Sequence, residues 1–243
     1  MKILAIGDLH GEVPATKKFL EENSIDLIIC PGDFANIDRI RDAIFENWLL
    51  INLGIPIESI MGHKQYEKAR KKSKISQAST MRRLSFLDKK TFFVFGNDDE
   101  PNEIKYKNLE YMHLKKRTLY DIDLIGMNSE NFVAPLDVLK VEKLFKKSEN
   151  RKIFLTHEPP LNTKLDLIRD KKSPRNGQHT GGQFSSYFIK KFQPELVICG
   201  HMHENPGVIK IGKSFVVNPG YGAKGSCAII EMDKQSEIKF YKL

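Results

Sequence analysis

Residues 2–11 read KILAIGDLHG: the apolar run Ile3–Ile6 closes on a glycine, and a carboxylate (Asp8) and an imidazole (His10) come at once after it. An apolar run this short, bounded by a turn residue, reads as a buried strand ending in a loop. The same arrangement recurs four times. LIIC (27–30) runs into PGDFAN (31–36), FFVF (92–95) into GNDDE (96–100), IFL (153–155) into THEPP (156–160), and LVIC (196–199) into GHMHE (200–204).

Helical patterns lie between these runs. Pro14 to Asn23 begins with a proline suited to a first helical turn. A 3.6-residue spacing links Ile40, Ala43, Ile44, Trp48 and Leu49, then Val138, Val141, Leu144 and Phe145, then Phe184, Tyr187, Phe188 and Phe192. Strand and helix in alternation predict an α/β fold with a largely parallel sheet covered on both faces. The tail reads differently: 207–211, 214–217, 226–232 and 237–242 look like closely spaced strands of a meander. No repeat or linker marks a boundary, so residues 1–243 read as a single domain with 53–90 as a basic helical excursion.

Composition narrows the class. With 243 residues, 40% of them apolar, the chain can build a large core. Its apolar runs fall far short of the roughly 20 residues of a membrane span, so no membrane partner is expected. Met1 leads directly into the first strand with no apolar leader, and a cytoplasmic setting is expected. Cys30, Cys199 and Cys227 lie in apolar runs and read as buried free thiols. The net charge is +8, and between His63 and Lys90 ten basic residues face only Glu67 and Asp88. Anionic partners follow from that balance. A solvated helix face is the simpler reading of 64–90, and nucleic-acid binding the sharper one. The sequence carries no reading of oligomeric state.

In open α/β sheets the residues just beyond the strands' carboxyl ends converge. Here they are Asp8, His10, Asp33, Asn97, His157, His201 and His203, including four of the seven histidines. Carboxylates, imidazoles and an amide oxygen suit borderline divalent ions such as Mn²⁺, Fe²⁺, Ni²⁺ and Zn²⁺. Seven donors exceed the needs of one ion. Two ions sharing a carboxylate and a bridging hydroxide would use them all, and Mn²⁺ is the first expectation.

GDLHG, GDFAN, GNDDE, THEPP and GHMHE, in this order and on these strand ends, resemble the five motifs of the calcineurin-like metallophosphoesterase superfamily. The stretch from His179 to VVNPG (216–220) resembles in particular its branch of cyclic-nucleotide-phosphodiesterase-like and metallophosphoesterase-domain proteins. The resemblance implies a four-layer α/β/β/α sandwich of two mixed sheets flanked by helices. It also implies a first metal on Asp8, His10 and His203, a second on Asn97, His157 and His201, and Asp33 bridging the two. Hydroxide would then attack phosphorus in line, and a phosphodiester is the expected substrate.

The chain departs from that pattern at Asp98, where the family usually carries a histidine that protonates the leaving oxygen. Beside two cations a carboxylate should be ionised and a poor acid. Asp99 matches the family's acidic position and is expected to orient His10. Asn97, Asp98 and His157 are therefore the candidate catalytic residues. His179, Gly181 and Gly182 are candidates for substrate contact, the two glycine amides forming an anion nest, with a structural turn as the competing reading. His63 reads as solvent-exposed and His113 as part of a half-buried strand. The rivals to a phosphodiesterase are a nuclease using the basic segment, a phosphomonoesterase, and a scaffold that keeps the fold without the chemistry.

Overall fold

Every side chain from Ile3 to Ile6 is fully buried, which requires cover on both faces of the first strand. In the computed structural model, describing residues 1–103, 105–171, 173–233 and 237–243, that cover is a second sheet on one side and helices on the other. The elements in chain order are β1 (Lys2–Ala5), α1 (Lys17–Glu22), β2 (Leu27–Cys30), α2 (Asp38–Glu46), α3 (Trp48–Asn52), α4 (Ile57–Met61), α5 (His63–Ser85), β3 (Lys90–Phe93), β4 (Leu109–Tyr111), β5 (Lys115–Leu119) and β6 (Ile122–Gly126). There follow α6 (Pro135–Lys146), β7 (Arg151–Leu155), α7 (Gln183–Phe192), β8 (Leu196–Ile198), β9 (Gly207–Ile211), β10 (Ser214–Asn218), β11 (Ser226–Glu231) and β12 (Glu237–Lys242).

Two mixed six-stranded sheets result, ordered β12-β11-β1-β2-β3-β4 and β5-β6-β7-β8-β10-β9. Ile3, Ala5, Ile29 and Phe92 of the first sheet meet Leu124, Ile153, Leu155 and Ile198 of the second in the central core. Leu4, Ile28 and Phe93 face outward onto Leu20, Met81 and Leu84 of α1 and α5. On the far side Phe154 and Val197 pack with Val141, Phe145 and Phe188 of α6 and α7. The four layers implied by the resemblance are present, whereas the strand and helix alternation alone pointed to one sheet.

The tail is two hairpins in two sheets rather than one meander. β9 pairs antiparallel with β10 at the edge of the second sheet, while β11 lies between β1 and β12 in the first. β1 therefore sits between β2 and β11, and the Met232 amide donates to the Met1 carbonyl. Pro14 precedes its helix instead of opening it: Thr16 caps α1, its hydroxyl accepting from the Phe19 amide, so the cap fixes the start. The expected helix from Ile40 to Leu49 divides at Asn47, whose φ of −116° and ψ of 29° leave the helical region. Neither α2, α3 nor α4 buries a residue, and Leu49 and Leu53 are 72% and 71% exposed. The excursion is helical as expected, but only α5 packs into the core. The thiols of Cys30, Cys199 and Cys227 are buried and unpaired, and among the described residues no helix is long and apolar enough to cross a membrane.

Candidate metal centre

The loops after β1, β2, β3, β7 and β8 meet at one end of the two sheets. Asp8, His10, Asp33 and His203 bring one ligand atom each to within 4.8 Å of one another, and so do Asp33, His157 and His201. Asp33 belongs to both groups. Its Oδ2 lies 3.7 Å from His10 Nε2 and 3.4 Å from His157 Nε2. Asn97 joins the second group through Oδ1, which lies 2.8 Å from His157 Nε2 and 2.7 Å from His201 Nδ1. All seven donors expected from the sequence converge.

The local backbone is built for these positions. Asp8, His10, Asp33 and His201 have φ of 51°, 37°, 57° and 70°, a left-handed conformation costing about 1–3 kcal/mol per residue that persists only where the surroundings over-determine it. Behind Asp33, Phe34 sits edge-on against Phe93 and Phe95, with ring centroids 5.4 and 6.2 Å away, and so anchors its loop in the outer core. Gly96 leaves no room for more: a Cβ there would collide with Asp33 Oδ1 and lie 2.6 Å from His157 Cε1.

Asp99 does not touch His10. Its buried carboxylate accepts four backbone N–H groups, from Asp33 (2.9 Å) and Gly96 (3.0 Å) at Oδ2 and from Phe34 (2.7 Å) and Ala35 (3.0 Å) at Oδ1. It acts on His10 indirectly, because the Ala35 carbonyl lies 3.0 Å from His10 Nδ1 and turns Nε2 inward. The Pro31 carbonyl, 2.8 Å from Nδ1, does the same for His157. Such partners fix ring orientation at metal sites.

The donors fit divalent ions. His10 Nε2 and His203 Nε2 face each other at 2.9 Å, and the buried Asp8 Oδ2 has no hydrogen-bond partner among the described residues, although buried acceptors are nearly always satisfied. A cation between the two rings would meet both nitrogen lone pairs, with Asp8 Oδ1 3.5 Å from His203 Nε2. By the protein's own charges, burial lowers the pKa of His10, and burial with the neighbouring His157 lowers that of His201. His157 rises well above the usual imidazole value against the effect of burial, because Asp33 adjoins it. Asp33 is in turn held far below the carboxylate range by His157 and His10, although burial opposes this.

Asp98 stands at the edge of the centre. Asn97 Nδ2 donates to its Oδ1 at 2.6 Å, and its Oδ2 lies 3.7 Å from His10 Nδ1. Burial and the Asp33 charge push it up to about 9, and push Asp99 up to about 7. The ionised Asp98 expected from the sequence therefore requires the opposing field of bound cations.

The anion nest is not formed. The Gly181 amide donates to Asp166 Oδ2 (3.1 Å) and the Gly182 amide to the Pro159 carbonyl (2.8 Å), so both serve the turn. His179 Nδ1 lies 2.8 Å from Asp166 Oδ1. The Thr180 hydroxyl contacts Met202 Sδ at 3.2 Å, which places this loop beside His201 and His203. His63 is exposed and pairs with Glu58. His113 follows β4, half-buried, its Nδ1 accepting from the Asn128 amide at 3.1 Å.

Two neighbours of the centre escaped the sequence reading. The Tyr221 ring stacks on His203, with centroids 4.4 Å apart and planes at 6°. Its signal was present, since it follows the end of β10 as the ligands follow theirs. Arg41, from α2, pairs with Asp38, and its charge reaches Tyr221, Asp98 and His203. Nothing in the local sequence distinguishes it from Arg39.

The family model for calcineurin-like phosphoesterases matches residues 1–205. The chain belongs to the calcineurin-like phosphoesterase family. Membership makes it a metallophosphoesterase, with the two ligand groups above as its candidate metal-binding residues. It is 27% identical to the uncharacterised protein MJ1162 of Methanocaldococcus jannaschii over 231 residues, 90% of this chain and 88% of that one. Among solved structures it resembles TT1561 of Thermus thermophilus (TM-score 0.61, 18% identity, 98% and 97% of the two chains). It also resembles a dimetal phosphatase from Danio rerio (TM-score 0.63, 8% identity, 99% and 95%). At these identities the structural likeness establishes the fold.

Proposed function

We propose that this metallophosphoesterase is a dinuclear, Mn²⁺-dependent phosphodiesterase of the cytoplasm. Asp8, His10 and His203 would hold one ion, Asn97, His157 and His201 the other, and Asp33 both. The observation that carries the reading is the membership of Asp33 in both ligand groups. When bound, the ions would lower the pKa of a water between them and polarise the phosphoryl oxygens. The chain's own residues do the positioning. Ala35 and Pro31 fix the rings of His10 and His157, Asp99 fixes the Asp33 loop, and Asp98 stands where a proton donor is otherwise expected. Asp98 supports diesters with acidic leaving groups over alkyl monoesters, because an ionised carboxylate cannot protonate a departing alkoxide. The assembled seven donors speak against a scaffold that has lost its chemistry.

The test is chelation followed by reloading. Activity on an aryl phosphodiester should vanish with chelator and return with Mn²⁺, and Asp33→Ala should lose both ions by metal analysis. Full turnover in metal-free protein, or two ions retained in Asp33→Ala, overturns the reading.

A second reading, a nuclease, is favoured by α5. Lys64, Lys68, Lys71 and Lys72 are exposed at the i, i+4, i+7 and i+8 spacing of one helix face. Over 23 residues that helix is about 34 Å long, enough to follow a nucleic-acid backbone. Part of the basic charge is answered locally, since Arg70 and Lys74 pair with Glu100 at 2.9 Å and Arg83 with Glu12 at 3.2 Å. Neutralising the four exposed lysines should weaken RNA binding and flatten its salt dependence by up to about one unit of slope per lost phosphate contact. Unchanged binding leaves a solvated face.

A further inference from the structure

The ligands of the second group come from different sheets. Asn97 follows β3 of the first sheet and His157 follows β7 of the second, and no ladder pairs those two strands. Yet Asn97 Oδ1 and His157 Nε2 lie 2.8 Å apart, a registration that non-directional apolar packing between the sheets does not impose by itself. The segment after β6, which contributes no ligand, supplies the tie. It leaves the second sheet at Met127, whose amide donates to the Leu155 carbonyl at 2.9 Å, and reaches the first at Ser129, whose amide donates to the Phe95 carbonyl at 2.9 Å. Asn128 Oδ1 accepts the Phe95 amide at 3.0 Å, as a strand partner's carbonyl would. The Asn128 side chain cannot turn away, because its Nδ2 donates to the Tyr111 hydroxyl at 2.6 Å while its own amide donates to His113 Nδ1 at 3.1 Å. Beside His157, the Glu158 carboxylate accepts the Ser129 hydroxyl and, at 3.0 Å, the Glu130 amide. Asn128, Ser129 and Glu158 are 1%, 0% and 7% exposed, so water does not compete for these bonds. One short segment thus holds the chain just before Asn97 and just after His157. The first group has a tie of its own: the Gly222 and Ala223 amides donate to the carbonyls of Gly7 and Asp8 at 3.0 Å.

We infer that Asn128 and Ser129 are positioning residues for the second ion alone, locking the β3 and β7 loops together so that Asn97 and His157 present their ligand atoms to one point. The inference rests on the dinuclear reading and adds to it a built-in asymmetry. Each ion depends on a different connection between the sheets, and the one behind the second ion lies outside the five strand-end loops.

Metal binding separates the two ions. Asn128→Leu fills a similar space but leaves the buried Phe95 amide without an acceptor. In the otherwise unaltered chain it should hold one Mn²⁺ per molecule at concentrations where wild type holds two. Which ion is lost is read by calorimetric titration in two backgrounds, His10→Ala, which breaks the first group, and His201→Ala, which breaks the second. Adding Asn128→Leu to His10→Ala should weaken Mn²⁺ binding about 10- to 100-fold, the range for losing a partner behind a metal ligand. Adding it to His201→Ala should change binding by no more than about twofold, as for independent sites. Asn128→Asp, which keeps an acceptor for the Phe95 amide, should bind as the background alone does. Ser129→Ala, which removes only the hydroxyl on Glu158, is read by the same criteria where Asn128→Leu does not fold. Equal losses in the two backgrounds, a larger loss in His201→Ala, or no loss in either overturns the inference, since the segment would then support the fold without distinguishing the ions. So does a full complement of two ions in Asn128→Leu. Wild type that binds a single Mn²⁺ refutes the dinuclear reading, whereas wild type that binds two, with both retained in Asn128→Leu, refutes this inference alone.

Discussion

Removing the Asp99 carboxylate should be among the most damaging single changes outside the hydrophobic core. Four backbone N–H groups, from Asp33, Phe34, Ala35 and Gly96, end on its two oxygens at 2.7–3.0 Å, and the residue is 3% exposed. Each buried donor left without a partner costs about 1–3 kcal/mol, so Asp99→Ala is expected to lose at least about 4 kcal/mol. That is a large fraction of the roughly 5–15 kcal/mol that holds a domain folded. Asp99→Asn keeps one oxygen, and hence two of the four bonds, but turns an NH₂ group toward the other two donors. Its loss should be smaller, about 2 kcal/mol or more. The assay is urea unfolding followed by far-ultraviolet circular dichroism, in chelator so that metal binding does not enter. It is run at pH 8, above the value of about 7 to which burial and Asp33 push Asp99. A loss below 1 kcal/mol in Asp99→Ala, or equal losses in the two variants, refutes the claim that this carboxylate organises the loops by accepting their amides.

Gly96→Ala should lower Mn²⁺ affinity at least about tenfold by calorimetric titration, because the new Cβ would collide with Asp33 Oδ1; unchanged affinity would mean that Asp33 can move without cost. Thr118 (2.6 Å), Lys116 (3.0 Å) and Asn150 (3.2 Å) donate to the buried Asp123 and hold it far below the carboxylate range although burial opposes them. Its contribution is therefore full above the unfolded value near 4 and fades as pH falls toward the folded one, so Asp123→Asn should flatten the acid side of a stability profile measured from pH 6 to 3. Asp98→His should raise turnover of alkyl esters more than that of p-nitrophenyl esters, by up to about 10²–10⁴-fold; equal effects on both would place the proton donor elsewhere.

The seven candidate ligands were legible because each comes soon after an apolar run, and a parallel sheet gathers the loops at its strands' carboxyl ends. The same rule reaches Tyr221 once β10 is seen to run parallel with β8. It fails for Arg41, whose place depends on the pitch of a short helix and on Asp38 as its partner, neither of which a linear pattern encodes. The doubling of the sheet was hidden too, since Ile3 and Leu124 are equally buried whether their strands share a sheet or face across a core. The glycine pair at 181–182 left a nest and a turn both open because its amides were unassigned in sequence, and the turn is what forms, since Asp166 and Pro159 claim them in the fold. The apolar spacing of Ile40 to Leu49 promised burial, but it lies on helices outside all three packed clusters.

The central place of β1 has a consequence for how the molecule is made. A ribosome delivers Asp8 and His10 first, yet β1 needs β11 on one flank, and the amide of Ala223 donates to the carbonyl of Asp8 itself. The earliest ligands thus stay unseated until residues near 230 of a 243-residue chain have emerged. Closing so long a stretch of chain is slow, and the nascent amino-terminal segment, apolar and edge-exposed, waits in the meantime for its partner. A chain stalled before β11 would carry His201 and His203 alongside an Asp8 that has not yet been fixed in place.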